Sequence, residues 1–371
     1  MNSRALSLQS NGHVLHDTFG DVGIITLNRP QALNALSLPM IRDLTTLLLA
    51  WRDDPAIKAV FVRGATQEGK AVAFCAGGDI RFFHQAALSG NPQLEDFFTE
   101  EYALNHLIHA YPKPYIAWMD GVVMGGGMGI SQGAALRIVT ERTKMAMPET
   151  NIGLFPDVGG GWFLSRCPGQ VGEYLALTGQ VIGAGDALAW GLADGFAASD
   201  ALDTFEDAPN AGFFSSDAEV LRYARARLKQ APAPLLAAEQ PAIDYHFAQP
   251  TVREIMASLQ QDSSPWAQET WAAMRKRSPL MMCVTLEQIR RARSMGLADD
   301  LRMERDLVRN CFFIRPGEAS ETVEGIRALA VDKDHSPRWS PPTVETVTPE
   351  MVQQFFRSPW PRHAHPLHSL D

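Results

Sequence analysis

The sequence predicts an α/β fold, and three observations support that prediction. Short apolar runs rich in β-branched residues alternate with segments whose apolar residues recur at helical spacing. Glycine pairs and triplets follow several of the apolar runs, as expected for strand-to-helix turns. The chain has 371 residues, of which 46% are hydrophobic and 20% charged. These values exclude wholesale disorder, and the length suits more than one domain.

Six apolar runs are predicted as strands: 22–27, 58–63, 71–75, 115–119, 137–140 and 144–147. Between the first two runs, Ser37 is the expected N-cap of a helix. One face of that helix carries the apolar residues Met40, Ile41, Leu44, Leu47, Leu48 and Trp51. A second helix is predicted within 94–111, and the glycine triplet at 125–127 opens a third. Thr348 and Pro349 fit the N-cap and first position of a helix that continues over 350–356.

Charge and cysteine content narrow the class of protein. Lys and Arg total 33 against 42 Asp and Glu, a net charge of −9, which argues against a protein that coats nucleic acid. The four cysteines, at positions 75, 167, 283 and 311, form no CxxC pair and no Cys/His cluster, so neither a disulfide framework nor a zinc site is expected. The first residues lack the apolar core of a secretory signal, and no run fits a membrane span. We therefore expect a cytoplasmic protein.

Composition divides the chain into two predicted regions. Residues 15–199 carry the alternating strand and helix pattern and form the predicted core domain. Residues 200–371 begin with a connector rich in Asp, Pro and Ala and continue into a helical region. The terminal segment contains His363, His365 and His368, for which a disordered or surface end is favoured over a metal site.

Two glycine turns are candidates for binding a ligand through the backbone. Residues 76–81 read AGGDIR and residues 124–129 read MGGGMG, and each follows an apolar strand. Neither has the Gly-Lys-Ser/Thr of a phosphate loop or a dinucleotide fingerprint. Tight helix–strand packing alone would explain either turn. Two turns that converge would instead form an oxyanion hole, in which N–H groups stabilise developing negative charge.

Two acids lie in an apolar, glycine-rich stretch. Residues 147–162 read MPETNIGLFPDVGGGW and include Glu149 and Asp157. An apolar pocket raises the pKa of a carboxyl group and suits it to acid–base or nucleophilic catalysis. The alternatives are that Glu149 is a surface turn residue and that Asp157 caps the following helix.

These segments together resemble the enoyl-CoA hydratase/isomerase, or crotonase, superfamily. The matching motifs are NRP at 28–30, LNAL at 33–36, FCAGGDI at 74–80, DG at 120–121, GGG at 125–127, PE at 148–149, LTG at 177–179 and GLAD at 191–194. The resemblance implies a spiral of ββα units with a C-terminal helical region covering the site. It also implies that the amides of Gly78 and Gly126 form the oxyanion hole.

Within the superfamily, the chain resembles the branch that hydrolyses 3-hydroxyisobutyryl-CoA. Its evidence includes EEYALN at 100–105 and VDKDHSPRW at 331–339, and the likeness spans about residues 15–357. Hydratases of the superfamily add water across a double bond with two glutamates. The first of these positions is Gly129 here, and the second is Glu149. Asp157 stands where hydratases usually carry a small residue. The resemblance therefore implies thioester hydrolysis rather than hydration.

The resemblance also implies roles for the remaining site residues. Glu149 is the nucleophile or the general base, Asp157 assists it, and Glu101 binds the substrate 3-hydroxyl. Arg29 and Arg81 are candidates for contacts with the CoA phosphates. The expected substrate is an acyl-CoA, namely 3-hydroxyisobutyryl-CoA, with 3-hydroxypropionyl-CoA as a further candidate. No metal or redox cofactor is expected, and neither a nucleic acid nor a membrane is expected as a partner. Homo-oligomerisation is left open. The alternatives are a hydratase or double-bond isomerase of the same superfamily, and a binding protein without catalysis.

Overall fold

A computed structural model of the chain describes residues 7–206 and 213–371. Nine strands are assigned in this part: β1 Val14–Phe19, β2 Val22–Leu27, β3 Ala59–Gly64, β4 Ala73–Cys75, β5 Tyr115–Met119, β6 Val122–Met124, β7 Leu136–Val139, β8 Lys144–Ala146 and β9 Gly195–Phe196. The six predicted strands are all present, with ends that move by a residue or two. β1 was not predicted because five of its six residues are exposed and give no apolar pattern.

Sixteen α-helices are assigned in the described part of the chain: α1 Leu38–Asp53, α2 Ile80–Ser89, α3 Gln93–His109, α4 Gly126–Gln132, α5 Gly160–Leu164, α6 Val171–Thr178, α7 Ala184–Ala189, α8 Leu202–Glu206, α9 Asp217–Arg225, α10 Gln240–Phe247, α11 Val252–Gln261, α12 Pro265–Met274, α13 Pro279–Ala292, α14 Leu297–Phe313, α15 Glu321–Ile326 and α16 Pro349–Phe355. The predicted apolar face of α1 is buried. Ser37 occupies the predicted N-cap position, but its side chain makes no capping hydrogen bond. Thr348 does cap α16, accepting a hydrogen bond from the Met351 amide.

The strands form two sheets. One has the order β1-β2-β3-β5-β7-β9, with β1 antiparallel to β2 and the others parallel, and the second has the order β4-β6-β8. From β3 to β9 the chain alternates between the two sheets, and α2–α3, α4 and α5–α7 follow successive strand pairs. This is the predicted spiral of ββα units, so the α/β fold class with helices after it is confirmed.

The chain divides into two compact units that interleave along the sequence. The first contains residues 1–78, 103–145 and 182–235, and the second contains residues 79–102, 146–181 and 236–371. Both sheets lie essentially in the first unit, where Phe61, Trp118 and Ile138 are part of the buried core. The second unit holds most of α5, α6 and α10–α16. The sequence-based boundary at residue 199 stays a prediction, because these units follow spatial packing and not chain order.

Two expectations about the rest of the chain can be compared with the structure. The C-terminal segment packs against the protein: His365 and Leu367 are buried, and the Arg302 guanidinium donates to the carbonyl of Leu367. The expectation of a disordered or surface end is therefore wrong for these residues, because a helix supplies their partners.

None of the helices in the described part of the chain combines the length and apolar character needed to cross a bilayer.

Candidate active site

The two glycine turns lie beside each other in the first unit. Gly77 has φ +100°, and a Cβ added there would lie 3.7 Å from the Gly126 nitrogen. The Gly77 carbonyl accepts a hydrogen bond from the Leu36 amide, which holds the first turn. Gly126 begins α4, so its N–H has no partner inside that helix. Within residues 7–206 and 213–371, the amides of Gly78 and Gly126 donate to no other backbone group.

Glu149 lies in the second unit on a short 3-10 turn, Glu149–Ile152. The turn ends at Gly153, where φ is +66° and an added Cβ would lie 2.2 Å from the Glu321 carbonyl oxygen. The Thr322 hydroxyl donates to the Gly153 carbonyl, and the Ser278 amide donates to the Thr150 carbonyl. The C-terminal region therefore holds the turn that carries Glu149. The Glu149 side chain is buried, so the surface-turn alternative is excluded.

Asp157 is also buried in the second unit, and it is held by Tyr102. The Tyr102 hydroxyl donates to Asp157 Oδ2 at 2.8 Å. Burial raises the pKa of the Asp157 carboxyl to about 6, while the hydrogen bond from Tyr102 acts in the opposite direction. The residue after it, Val158, has φ +59°, a left-handed conformation that a β-branched residue rarely adopts.

Glu101 is the third member of an acid cluster that we define as Glu101, Glu149 and Asp157. Glu101 lies on α3 and is buried. Burial raises the pKa of Glu101 well above its ordinary value, and the charges of Asp157 and Glu149 raise it further. Burial and the charge of Asp157 likewise raise the pKa of Glu149. The three carboxyl groups therefore interact, and together they resist full ionisation.

The cluster retains unused hydrogen-bonding capacity. Glu101 Oε1 and Glu149 Oε2 are buried and accept no hydrogen bond from the described residues. Among those residues, no arginine or lysine forms an ion pair with any member of the cluster. A buried carboxylate that lacks a cation is costly, so such a cluster is typical of a site that binds or transfers protons.

The two arginines proposed for phosphate contacts differ in their surroundings. The Arg29 guanidinium donates to the Ala35 carbonyl at 3.2 Å, so it has a structural role in its own turn. Arg81, at the start of α2, instead lines an open pocket of about 720 Å³ together with His84 and Lys333. These three side chains form no ion pair or hydrogen bond with the part of the chain that the structure describes. Phosphate binding by Arg29 and Arg81 stays a prediction.

The structure also adds residues that the sequence reasoning missed. Tyr102 directly follows Glu101 in the EEYALN segment, so the sequence places it next to a candidate acid. No sequence pattern indicates its contact with Asp157. Asp300 and Glu304, one turn apart on α14, are fully buried against the turn after Asp157. The sequence pattern that could have indicated them is a pair of acids on the apolar face of a helix that also carries Leu301, Leu307 and Val308. The described residues contain no group of three His, Cys, Asp or Glu side chains that could hold a metal ion.

The family of the chain follows from its sequence match. The family model described as enoyl-CoA hydratase/isomerase matches residues 22–356, which include both glycine turns and the acid cluster. The chain belongs to the enoyl-CoA hydratase/isomerase family. Membership agrees with the observed alternation of strands between two sheets.

Relatives that match almost the full length of this chain are named as hydrolases. It is 39% identical to the mitochondrial 3-hydroxyisobutyryl-CoA hydrolase of Rattus norvegicus over 351 residues, which are 93% of this chain and 89% of the relative. It is also 39% identical to 3-hydroxyisobutyryl-CoA hydrolase 1 of Arabidopsis thaliana over 362 residues, 95% of this chain and 93% of the relative. The resemblance to this branch is therefore confirmed.

The same relatives correct the expected compartment. Those from rat, chicken and zebrafish are named as mitochondrial proteins, which overturns the expectation of a cytoplasmic protein. Free cysteines and the lack of a secretory signal do not distinguish the cytoplasm from the mitochondrial interior, so those observations were too weak to support the expectation.

Solved structures with the same fold carry different activity names. A carnitinyl-CoA dehydratase from Mycobacterium thermoresistibile matches with a TM-score of 0.86 and 37% identity, covering 97% of this chain and 99% of its own. An enoyl-CoA hydratase from Rhodobacter sphaeroides matches with a TM-score of 0.82 and 36% identity, covering 94% and 98%. The match confirms the fold, whereas the reaction has to be argued from the site residues.

Proposed function

We propose that the chain hydrolyses the thioester of 3-hydroxyisobutyryl-CoA, and of the analogue 3-hydroxypropionyl-CoA, to the free hydroxy acid and CoA. The observation that carries the proposal is the composition of the acid cluster. Gly129 occupies the position of one hydratase acid, so a hydratase mechanism lacks a proton donor or acceptor there. Asp157 adds a buried acid beside Glu149. The 39% identity to hydrolases of this substrate supports the same proposal, and we propose valine breakdown as the pathway that it serves.

In the proposed reaction, the amides of Gly78 and Gly126 hold the thioester carbonyl oxygen. Removing one such donor costs about 3 kcal/mol in other enzymes. Glu149 attacks the carbonyl carbon, the C–S bond breaks, and Asp157 supplies the proton that the departing thiolate takes. Water then hydrolyses the mixed anhydride, and Asp157 recovers a proton from that water. In the second version, Glu149 acts as a general base on water, and no anhydride forms.

Glu101 supplies the substrate specificity in this proposal. Its Oε1 atom is buried and accepts no hydrogen bond from the described residues, so it can accept one from the substrate 3-hydroxyl. A site built to bind a hydroxyl rejects an analogue without it, because a buried polar atom would then remain unpaired. The single methyl that separates the two proposed substrates is worth only about 1–3 kcal/mol.

The pocket lined by Arg81, His84 and Lys333 is the proposed site for a phosphate of CoA. Asp332 and Asp334, which flank Lys333 in sequence, are paired with Arg327 and do not neutralise it. We expect Lys333→Ala to raise KM about fivefold for a CoA thioester and to leave KM unchanged for the 3′-dephospho-CoA thioester. The matched control is Arg52→Ala, which removes an exposed arginine whose partner is Asp53.

The proposed reaction needs no metal or redox cofactor, since both the nucleophile and the proton donor are side chains of the chain. The proposed ligand is the acyl-CoA substrate, and neither a nucleic acid nor a membrane is proposed as a partner. Assembly into a homo-oligomer would not change the assignment of the acids.

A thiol-release assay over a panel of acyl-CoA thioesters tests the proposal. We expect free CoA from 3-hydroxyisobutyryl-CoA and 3-hydroxypropionyl-CoA, and no loss of conjugated absorbance with crotonyl-CoA. The names of the two solved structures favour a second candidate, a hydratase or dehydratase. Loss of crotonyl-CoA absorbance without thiol release would establish that candidate and reject hydrolysis.

A further inference from the structure

The turn that follows Asp157 has a backbone that its own sequence does not favour. Val158 has φ +59° and Gly159 has φ +87°, two successive residues in the left-handed region. Glycine adopts this conformation freely, but valine does not. Val158 is also buried, so its side chain is fixed by packing. A strained turn of this kind persists only where the surrounding structure imposes it.

Two acids on α14 hold that turn from one side. Glu304 accepts a hydrogen bond from the Gly159 amide at 2.7 Å and a second from the Gly161 amide at 2.9 Å, one on each carboxylate oxygen. Asp300 Oδ2 accepts from the Trp162 amide at 2.8 Å. These amides would otherwise lack partners at the start of the short helix α5. An added Cβ at Gly161 would lie 2.3 Å from Asp300 Oδ1, so the backbone approaches as closely as glycine permits.

A third side chain closes the arrangement from α13. Gln288 Nε2 donates to the Pro156 carbonyl at 2.7 Å and to Glu304 Oε1 at 3.1 Å. Pro156 and Gly159 flank Asp157 and Val158, so both ends of this two-residue segment are fixed. Gln288, Asp300 and Glu304 are all fully buried.

The surroundings of Asp300 and Glu304 raise the pKa of both carboxyl groups. Burial raises the pKa of Asp300 to about 7 and raises that of Glu304 well above its ordinary value. The charge of Asp300 raises the pKa of Glu304 further, so ionisation of one carboxyl group disfavours ionisation of the other. The other charges that act on the pair are those of Asp157 on Glu304 and of Arg166 on Asp300.

We propose that Asp300 and Glu304 are positioning residues for Asp157: they hold the strained Val158–Gly159 turn and so keep the Asp157 carboxyl against the Tyr102 hydroxyl. This inference rests on the proposed function, in which Asp157 exchanges the proton of the thiol and of water. The carboxylate oxygens of both acids accept from amides of the turn, so in this proposal they act through Asp157 and not on the substrate. Their effect is therefore on turnover and not on affinity for the acyl-CoA.

The test compares Glu304→Gln with Glu173→Gln. The first replacement keeps the shape of the side chain but leaves only one oxygen for two amide donors. We expect kcat for thioester hydrolysis to fall about tenfold to hundredfold, with KM within twofold of the wild type. Glu173 is an equally buried acid on α6, paired with Arg293, and its replacement should lower the melting temperature while keeping kcat.

Two further measurements separate positioning from general stability. Val158→Gly in the Glu304→Gln background should recover part of kcat, because glycine adopts the left-handed conformation without strain. Hydrogen exchange of the peptide 157–162, measured by mass spectrometry, should accelerate in Glu304→Gln and remain unchanged in Glu173→Gln. If Glu304→Gln does not fold, Asp300→Asn provides the same comparison, with an expected kcat loss of about threefold to tenfold.

The outcomes distinguish this inference from the proposed function. Unchanged exchange at 157–162 in Glu304→Gln, or a kcat loss no larger than that of Glu173→Gln, overturns the positioning role. A wild-type chain that releases no thiol from any acyl-CoA overturns the proposed function instead, and the exchange experiment still reports whether Glu304 holds the turn.

Discussion

Two groups of acids in the second unit show how the surroundings change the pKa of a carboxyl group. In the acid cluster, Glu149 and its neighbours are buried and form no ion pair within the described part of the chain, and their pKa values are raised. In the second group, which we call the Arg327 cluster, Glu324, Asp332 and Asp334 all contact the Arg327 guanidinium at 2.7–2.8 Å.

The Arg327 cluster has the opposite electrostatic behaviour. Hydrogen bonds from Arg327 lower the pKa values of Glu324 and Asp334, so these acids stay charged over the whole neutral range. Acids fixed in the charged state can hold a loop in place but cannot exchange protons. In the proposed mechanism the acid cluster retains that ability, because no arginine or lysine among residues 7–206 and 213–371 pairs with it. The difference teaches that the chemistry of a carboxyl group in this protein depends on which partner the packing supplies.

The largest effect is expected from removing the central acid of the acid cluster. Glu149→Gln should abolish thioester cleavage, a loss of about a thousandfold or more in kcat, because the amide is neither a nucleophile nor a base. Its fold should remain, as circular dichroism and the melting temperature would show. Glu324→Gln in the Arg327 cluster is the matched control and should keep kcat. Near wild-type turnover in Glu149→Gln would reject the proposed mechanism.

A smaller loss is expected when Asp157, the proposed proton donor of the acid cluster, is replaced. Asp157→Asn should lower kcat about a hundredfold, since the amide cannot give its proton to the thiolate. KM for the acyl-CoA should change little, because the proposed mechanism gives Asp157 no contact with the CoA part. Steady-state kinetics with 3-hydroxyisobutyryl-CoA measure both constants. A rise in KM with unchanged kcat would show that Asp157 contributes to binding alone.

The hydrogen bond to Asp157 should have a more modest effect. Tyr102→Phe removes the donor that stabilises the charged carboxylate, so the pKa of Asp157 should rise further. We expect kcat to fall about tenfold, near the lower end of the roughly 1.5–3 kcal/mol that a hydrogen bond to a charged group contributes. The pH profile of kcat should move towards higher pH. A profile that stays in place would show that Tyr102 does not tune Asp157.

The smallest expected effect is a change in the melting temperature, and it has opposite signs in the acid cluster and in the Arg327 cluster. The pKa of Asp157 is about 6 in the folded protein, above that of an unfolded aspartate, so this residue costs stability as the pH rises from about 4 to 6. Asp157→Asn should therefore raise the melting temperature at pH 8 by about 2–4 °C.

The lowered pKa of Glu324 predicts the reverse for the Arg327 cluster. Its stabilising contribution is present above the pKa of an unfolded glutamate and is lost as the pH falls through the lower folded value. Glu324→Gln should therefore lower the melting temperature at pH 8, and the difference should shrink towards pH 3. Calorimetry at pH 8 and at low pH measures both variants, and an equal shift of the same sign would contradict the comparison.

The sequence by itself determined the features that depend on neighbouring residues. Strand runs such as 22–27, the apolar face of α1 and the glycine turns are local patterns, and each is present in the structure. Local pattern failed where the residues were exposed, as in β1, and it did not predict that Ser37 occupies the N-cap position without a capping hydrogen bond. The family motifs also located Gly78, Gly126, Glu101, Glu149 and Asp157 as the candidate residues.

Only the tertiary structure decided what surrounds those residues. Glu304 binds the Gly159 amide across 145 positions of sequence, and Tyr102 reaches Asp157 across 55. No local pattern specifies such contacts, because they depend on how separate helices pack. Burial has the same origin: the pKa of a carboxyl group rises when all the elements around it exclude water and none supplies a cation. The sequence therefore determined which acids this protein has, and packing decided which of them have a raised pKa.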